Sequence, residues 1–357
     1  MEMVILNSVK FFLGANTPDG FYSLFDELYN PYTDWQMYVI KGGPGSGKST
    51  LMKAVADEAE KRNLFVERIP CSSDPMSLDG VIIPDIKVAI ADGTSPHVVE
   101  PVFPGVCEHI VDLSKCWDTE KLKKDTAKIK MISMTNSAAH KKCVKYMKAA
   151  KLLDSETDKY TEKALIDEKA ERFVSRIFNS EITPTENFTT KNRFISALSP
   201  LGITVMNETI SEYCDNIICI KDSYDVSPII VEKIVNEAVN RKINMIVCRC
   251  PMDPLHKIEH VIFPDLRLGV FTSNTYHTIK GTRTVSSSRF IDKNIINKHK
   301  NSIGFIKKAK EEMINEAVNS LKAAKSAHDI LESYYIDAMD FDKVNKIKDE
   351  VINSIFK

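Results

Sequence analysis

The residues from Gly42 to Thr50 have the types and spacing that phosphate chemistry needs. They read GGPGSGKST and fit the pattern G-x-x-x-x-G-K-[ST]. Glycines leave the backbone free to wrap, so consecutive N–H groups can point at phosphate oxygens. Lys48 can reach the β- and γ-phosphates, and Ser49 can ligate Mg²⁺. The pattern therefore predicts a nucleoside-triphosphate site with these nucleotide-binding residues: Gly42, Gly43, Pro44, Gly45, Ser46, Gly47, Lys48, Ser49 and Thr50.

An acidic residue at the end of a second strand would complete such a site. The run KVAIA at 87–91 favours a strand, and Asp92 follows it. Asp92 is predicted to hold Mg²⁺ through water, although an Asp before Gly93 is also a strong turn signal. Glu100 is a candidate for orienting water, although a surface glutamate near a turn is the more common case. The predicted catalytic residues are Lys48, Asp92 and Glu100, and the predicted metal ligands are Ser49 and Asp92.

A strand and a helix must hold the loop at its two ends. The run MYVI at 37–40 is typical of a buried parallel strand. Segment 49–61 is rich in helix formers, and Leu51, Val55 and Ala59 give it one apolar stripe. Such strands are expected to be joined by right-handed helical crossovers. The sequence thus predicts an α/β fold with a mainly parallel sheet, whose first strands lie near 10–14, 36–41, 64–69, 86–91 and 109–113.

The chain repeats itself at an offset close to 180 residues. The pattern F-x-x-A-x-x-P-x-G at 12–20 recurs at 194–202, and C-x-x-D-P at 71–75 recurs at 250–254. The order of such matches is kept along the chain. The sequence therefore predicts two tandem copies, 1–185 and 186–357, with second-copy strands near 193–197, 216–221, 244–249 and 266–271.

A helical segment follows the α/β core of each copy. Segments 119–178 and 292–356 are rich in Lys, Glu and Ala and poor in Gly and Pro. We expect each to form a helical hairpin. The repetition also suggests that the two cores pack with pseudo-two-fold symmetry, although two separate sheets would satisfy the sequence equally.

The copies differ in the residues that would bind phosphate. The second copy reads DSYDVSPII at 222–230, where the first has its glycine-rich loop. Pro228 replaces the lysine, Ile229 replaces the serine, and Asp222 and Asp225 would repel phosphate. Thr272 stands where the first copy has Asp92. We therefore expect the second site to be degenerate.

Residues that both copies keep are assigned mainly to the fold. His97 matches His277, and Asp79 has an acidic counterpart in Glu259. A structural or interface role is the favoured interpretation of His97, and a catalytic role is the alternative.

Composition excludes several classes of protein. The chain has 357 residues and a formal net charge of −1, so nothing indicates a general nucleic-acid binder. No stretch has the ~18–20 apolar residues of a membrane helix. The eight cysteines are expected to be reduced thiols that pack as small hydrophobes. The C-x-C pair at 248 and 250 has no second pair at zinc-finger spacing, so no metal site is predicted there. A cytoplasmic protein is expected.

Four runs of sequence resemble a known family. LGANTPDGFYS, IKGGPGSGKSTLMK, CSSDPMSLDGVIIPD and VAIADGTSPHVVEP are similar to a family of bacterial P-loop ATPases with two tandem copies of a P-loop NTPase unit. The resemblance covers nearly the whole chain and implies the P-loop NTPase fold, ATP binding and hydrolysis. Many members keep a P-loop in both halves, and this sequence departs from them in its second half. The resemblance implies no substrate or pathway.

The leading functional hypothesis is an ATPase with ATP and Mg²⁺ as ligands, whose change of shape is read by an unknown protein or small-molecule partner. A cis arginine finger would stabilise the transition state; a finger from another subunit is the alternative. A small-molecule kinase with segment 119–178 as its lid, and a non-enzymatic nucleotide sensor or scaffold, are alternative functions. The cis finger candidates are Arg241, Arg249, Arg267, Arg283 and Arg289.

Overall fold

The computed structural model describes residues 8–183 and 188–357. The predicted copy boundary at 185/186 lies outside the described residues, as does the start of the first copy at 1–7. The helices are α1 (Lys48–Lys61), α2 (Thr119–Lys124), α3 (Thr126–Ala164), α4 (Asp167–Ser180), α5 (Asn207–Tyr213), α6 (Ser227–Asn240), α7 (Lys293–Lys298), α8 (Lys300–Asp337) and α9 (Phe341–Ile355).

Within residues 8–183 and 188–357, each half of the chain contributes eight strands. The first half has β1 (Ser8–Lys10), β2 (Gly14–Thr17), β3 (Gly20–Ser23), β4 (Gln36–Lys41), β5 (Val66–Pro70), β6 (Leu78–Ile83), β7 (Val88–Asp92) and β8 (Glu108–Asp112). The second half has β9 (Thr190–Arg193), β10 (Ser196–Ser199), β11 (Gly202–Val205), β12 (Asn216–Lys221), β13 (Met245–Arg249), β14 (Ile258–Phe263), β15 (Leu268–Ser273) and β16 (Arg283–Ser286).

The two halves form six-stranded sheets of the same order. The first runs β1-β5-β6-β7-β4-β8, and the second runs β9-β13-β14-β15-β12-β16. Neighbouring strands are parallel, except that β6 and β14 run antiparallel to both of their neighbours. In addition, β2 pairs with β3 and β10 with β11 as antiparallel hairpins. The predicted α/β fold with a mainly parallel sheet, present in two similar units, is thus confirmed.

The antiparallel strand β6 was not predicted. It contains Asp79 and Gly80, and both residue types are depleted in strands. All six of its residues are nevertheless buried. A Cβ on Gly80 would lie 3.4 Å from the Ile90 carbonyl and 3.5 Å from Ile69 Cβ, so a small residue fits closely between the flanking strands. Tertiary burial here outweighs local propensity.

The two sheets meet across a pseudo-two-fold axis. Phe12 and Phe194 are equivalent residues of the two copies, and they exchange backbone hydrogen bonds of 2.8 and 3.0 Å. Such self-pairing of equivalent positions is the mark of a two-fold arrangement. One apolar core includes buried side chains of both halves, such as Met37 and Phe271. The expected symmetric arrangement is therefore present, and the predicted strand at 10–14 is wrong because β1 ends at Lys10 and Phe12 joins the other copy.

The long helices α3 and α8 each run from the sheet unit of their own copy to the sheet unit of the other copy. They pack against each other in antiparallel fashion. The buried residues of this seam are Cys143, Met147, Ala150, Ile314, Ala317 and Leu321. A bridge joins Trp117, before α2, to Met339, after α8, and another joins Leu165, after α3, to Ile291. Each long helix therefore starts beside one sheet and ends beside the other.

The last helix of each copy consequently packs on the other copy's sheet unit. Phe173 and Ile177 of α4 share a core with α6, and Val344 and Val351 of α9 share a core with α1. The predicted helical hairpins are wrong, since within the described residues α3 packs along α8 and not back on α4. The physical reason is that α3 has no Gly or Pro over 39 residues, so nothing in it favours a turn. A division at residue 185 separates the copies in sequence, but each compact unit includes the other copy's last helix.

Two expectations from composition can be compared with the structure. No helix in the described ranges combines the length and apolarity that crossing a bilayer requires. All eight cysteines fall in those ranges; seven are buried, Cys71 is half-buried, and each is a free thiol.

A buried ion pair between the halves gives a stability prediction. Arg193 on β9 is 2% exposed; its guanidinium binds the buried carboxylate of Glu67 on β5 and lies 3.2 Å from Glu27 Oε2. Breaking a buried pair leaves an uncompensated charge and costs about 3–5 kcal/mol. Because Glu27 remains, we expect Glu67→Gln to lower the free energy of unfolding by about 3 kcal/mol. Urea denaturation measures this change.

The exposed pair Lys10–Glu208 is the matched control, since it also joins the two halves. We expect Glu208→Gln to change the unfolding free energy by less than about 1 kcal/mol. Equal effects of the two substitutions would contradict the special cost of the buried charge.

Candidate functional site

The glycine-rich loop lies at the carboxyl edge of the first sheet, between β4 and α1. Gly45 and Gly47 have φ of 64° and 88°, a left-handed conformation that glycine adopts without strain. Buried Leu51 and Val55 hold α1 on the sheet. β4 pairs in parallel with β7, which places Ile40 opposite Asp92. The strand–loop–helix order is as predicted, and so is the neighbouring strand that ends in Asp92.

The structure brings Lys48 and Asp92 together. Lys48 Nζ lies 3.6 Å from Asp92 Oδ2, and both side chains are largely buried. The same ammonium donates to the carbonyls of Gly42 and Gly43 at 2.9 and 2.7 Å. Asp92 Oδ1 accepts from the Thr94 N–H at 2.8 Å. Asp92 therefore closes the turn with one oxygen and faces the lysine with the other, so the turn interpretation is confirmed and the Mg²⁺ role stays a prediction.

The remaining loop residues are held by local hydrogen bonds. Ser49 Oγ accepts from the Leu78 N–H at 2.9 Å, which ties the start of α1 to β6. Ser46 is buried and its hydroxyl donates to the Gly43 carbonyl at 2.8 Å. Pro44 is half-buried and Thr50 is exposed. These contacts shape the loop around its N–H groups.

Glu100 is not held against the loop. Its carboxylate pairs with Lys41 at 2.9 Å, and its side chain is 70% exposed. Lys41 also donates to the Gly93 carbonyl at 2.8 Å, so this ion pair braces the segment after Asp92. A structural role is what these contacts support.

A carboxylate from the other copy reaches the loop. Glu332, near the end of α8, accepts a hydrogen bond from the Gly45 N–H at 3.1 Å. The N–H groups of such a loop are the donors that would cradle phosphate, so the carboxylate stands where an anionic ligand is expected. A Cβ on Gly45 would lie only 2.7 Å from Ile336 Cγ1 of the same helix. Sequence reasoning missed Glu332, because 287 positions separate it from Gly45 and no local pattern joins them.

Aromatic and aliphatic side chains also cover the loop. A Cβ on Gly43 would meet Trp117 at 2.9 Å and Tyr335 at 3.3 Å, and one on Gly47 would meet Val344 of α9 at 3.3 Å. Trp117 and Tyr335 contact each other with ring centroids 5.5 Å apart. The end of α8 and the start of α9 therefore cover the first loop.

The second copy's loop is occupied by its own side chain. The Asp222 carboxylate accepts from the N–H groups of Tyr224, Val226 and Ser227, at 3.2, 3.3 and 2.8 Å. Burial, together with the nearby charge of Asp225, raises the pKa of Asp222 above its usual value. Loop donors that could face a phosphate are thus already satisfied, which agrees with the expectation of a degenerate site.

A cavity of about 160 Å³ lies beside this second loop, against α3 and α8. Three lysine–aspartate pairs stand in its wall. Their separations are 2.6 Å for Lys310–Asp154, 2.9 Å for Lys257–Asp158 and 3.1 Å for Lys151–Asp253. Because its lysines are paired, the cavity is not a phosphate site like that predicted for the first copy.

The five candidate arginine fingers are engaged in the second unit. Arg241 pairs with Glu237, Arg267 with Asp215 and Arg283 with Glu181, while Arg249 donates to Asn192 and Arg289 lies over Phe290. A cis finger would require one of these arrangements to break, and the arginine finger stays a prediction.

His97 lies in a buried ion pair near the loop. Its Nε2 is 3.1 Å from Asp79 Oδ2, and Phe25 packs against its ring. Burial disfavours the charged imidazolium, but the Asp79 carboxylate outweighs that effect and raises the pKa of His97. The contact supports a structural role, and the catalytic alternative remains untested.

Comparisons of the chain with protein-family models, with curated proteins and with solved structures find no match. The family suggested by the sequence therefore stays a prediction. The interpretation of the site rests on the loop sequence and the geometry described above.

Proposed function

We infer that the first loop binds ATP with Mg²⁺, and that binding and hydrolysis move α8 to signal to a partner. The observation that carries this proposal is the Glu332 carboxylate on the Gly45 N–H. An anionic side chain from the other copy rests on a donor that the motif assigns to phosphate. A triphosphate that takes this donor must displace the Glu332 side chain, and we infer that the end of α8 moves with it.

The residues around the loop fit Mg²⁺ and phosphate. Ser49 Oγ and Asp92 Oδ2 are oxygen donors of the kind that Mg²⁺ prefers. The ion would neutralise charge on the β- and γ-phosphates. Lys48 would leave the carbonyls of Gly42 and Gly43 and place its charge on the phosphates, which stabilises the transition state electrostatically.

The coupling acts through α8. This helix has 38 residues, so it is about 57 Å long and spans from the second sheet unit to the first loop. A ligand shifts a conformational equilibrium only through its different affinity for the two states. Competition between Glu332 and phosphate for the Gly45 N–H supplies such a difference. The long α3–α8 pair would carry the change to the surface that a partner reads.

A nucleotide sensor without turnover is the second candidate. The observation that favours it is that the second unit's candidate arginines are already engaged, while the group that α8 presents to the loop is an acid. A kinase remains the third possibility, but α3 leads away to the second unit, so α8 and α9 would form the lid. A cytoplasmic location is proposed because ATP is the ligand and the cysteines are free thiols.

Calorimetric titration with Mg²⁺ and ATP tests the proposal, followed by phosphate release on the same samples. One site per chain with phosphate release supports the ATPase. Binding without release supports the sensor, and ADP formation only with an added acceptor supports a kinase. The absence of ATP binding would refute all three.

Substitution of Asp92 separates metal chemistry from nucleotide binding. We expect Asp92→Asn to lower Mg²⁺-dependent phosphate release by about 100-fold, the size of losing one preorganised electrostatic contact. ATP binding without Mg²⁺ should not weaken, because Asp92→Asn removes a negative charge that repels the phosphates. Single-turnover assays at saturating ATP measure the first effect. Asp57→Asn is the control, since Asp57 is an exposed residue of α1 that pairs with Arg68; equal losses in both variants would contradict the metal role.

A further inference from the structure

The two units contain the same trio of cysteine, carboxylate and histidine. In the first unit Cys71 follows β5, Asp79 lies on β6 and His97 follows β7, and their ligand atoms all lie within 4.8 Å of one another. We call these residues the first trio. Thiol, carboxylate and imidazole groups are all common metal ligands, and the fold brings these three together from distant positions in the sequence.

The second trio consists of Cys250, Glu259 and His277, at equivalent positions of the second unit. Here the ligand atoms that lie within 4.8 Å of one another are those of Glu259, His260 and His277, and Cys250 belongs to the trio by its equivalence to Cys71 and its position beside Glu259. The second copy has lost the lysine, glycines and serine of the loop, yet it keeps this trio. The trio is therefore independent of the phosphate-binding residues. Glu259 is one methylene longer than Asp79, so the carboxylate is kept while its reach differs.

Buried polar atoms without partners converge in the second trio. Among the described residues, Glu259 Oε2 and both ring nitrogens of His277 have no hydrogen-bond partner. His277 is 3% exposed. A buried polar group left without a hydrogen-bond partner destabilises the fold, so a missing partner between these atoms is the simplest explanation. The Cys250 thiol also lies at the Glu259 carboxylate.

The separations match a tetrahedral ion. His277 Nε2 lies 3.5 Å from Glu259 Oε2, and His97 Nε2 lies 3.1 Å from Asp79 Oδ2. Zinc–nitrogen and zinc–oxygen bonds of about 2.0–2.2 Å at tetrahedral angles put two such ligands about 3.4 Å apart. The two observed values bracket that length.

His260 is the neighbour that could be mistaken for a ligand. Its Nδ1 accepts from the Thr272 N–H at 3.0 Å, so in the neutral ring Nε2 carries the proton. That nitrogen lies 3.9 Å from Glu259 Oε2. At that distance the two atoms are not hydrogen-bonded, and His260 Nε2 has no hydrogen-bond partner among the described residues. Because this nitrogen carries the proton, His260 is a buried neighbour of the trio and not one of its ligands.

We propose that each trio binds one divalent ion of the zinc class. Sulfur, imidazole and carboxylate together select Zn²⁺ and not Mg²⁺ or Ca²⁺, which prefer oxygen alone. Three protein ligands leave a fourth position open, as in zinc sites that bind a water or a substrate. In the second unit all three ligands lie in the wall of the 160 Å³ cavity, so the open position faces it. This proposal does not depend on ATP binding.

Cobalt substitution tests it on the full chain without nucleotide. Chelator-treated protein is loaded with Co²⁺, and the thiolate-to-cobalt absorption band and bound metal per chain are measured. We expect about two ions per chain, one for each trio. Cys71→Ser and Cys250→Ser should each remove one ion and about half of the band. Cys143→Ser is the matched control, because Cys143 is buried between α3 and α8.

Glu259→Gln guards against misfolding, since it keeps the shape of the side chain. It should lower metal content by one ion while the urea midpoint of the metal-free protein stays close to that of the wild type. A cysteine variant with unchanged metal content overturns the proposal for its unit. Wild-type protein that gives no thiolate-to-cobalt band overturns it for both.

Discussion

Lys48→Ala is expected to weaken ATP binding by about 150-fold or more and to stop phosphate release. Lys48 is the cation of the loop, and in this structure its ammonium is held by two carbonyls and lies 3.6 Å from Asp92. Hydrogen bonds to charged groups contribute about 1.5–3 kcal/mol each. Losing two of them costs about 3 kcal/mol or more, which is about 150-fold in affinity.

Titration calorimetry and a phosphate-release assay on the same samples measure this result. Lys53→Ala is the matched control, because Lys53 is an exposed lysine on the same helix. We expect the control to bind and hydrolyse ATP like the wild type. A Lys48 variant with wild-type turnover would remove the loop from the mechanism altogether.

Local sequence was sufficient for the elements that hold the loop. The apolar run before Gly42 predicted β4, and the four-residue spacing of Leu51 and Val55 predicted α1, because period and propensity are properties of neighbouring residues. The exchange of α4 and α9 could not be predicted in this way. An apolar stripe predicts that one face of a helix is buried. It does not predict which sheet Phe173 of α4 or Val344 of α9 will pack against.

The same limit applies to the candidate site. Asp92 could be found because it ends a strand that must neighbour β4 in a parallel sheet. Glu332 could not, since its partner is distant along the chain and only the exchange of long helices brings the two together. The repeat matched each residue of the second trio to the first copy, but it could not show that they meet, because that depends on the return of β14. The C-x-C pair pointed to Cys250, but without Glu259 and His277 it indicated no metal.

Comparison of the two units explains why Glu332 rests on the loop. Glu332 of α8 corresponds to Asp158 of α3, at the offset that aligns the two long helices. Asp158 has a lysine partner, Lys257, at 2.9 Å. The first unit has Ser77 where the second has Lys257, as the matching backbone bonds from Cys71 to Ser77 and from Cys250 to Lys257 show.

The equivalent acids Asp158 and Glu332 therefore have different partners in the two units. In the second unit the acid pairs with a lysine and the loop N–H groups bind Asp222. In the first unit the acid binds the loop itself. The Glu332 contact is therefore specific to the unit that keeps the phosphate-binding residues, which is why we assign it to regulation of that site and not to the fold.

Glu332→Ala is accordingly expected to tighten ATP binding by about tenfold. Removing a competing charge-assisted hydrogen bond of about 1.5 kcal/mol from Gly45 gives that factor. Glu332→Gln should fall between wild type and alanine, because its amide can still accept the bond without the charge. Glu312→Ala is the matched control, an exposed glutamate on the same helix. Calorimetry with a non-hydrolysable ATP analogue measures the affinities.

The sign of the effect decides the role of α8. Tighter binding in the alanine variant means that the Glu332 carboxylate opposes the nucleotide, as a competitor for the Gly45 N–H must. Weaker binding would contradict the coupling, because it would make Glu332 part of the nucleotide or Mg²⁺ site. Damage to the fold is expected to weaken binding, so it would not produce the expected gain. The glutamine variant separates loss of the charge from loss of the hydrogen bond.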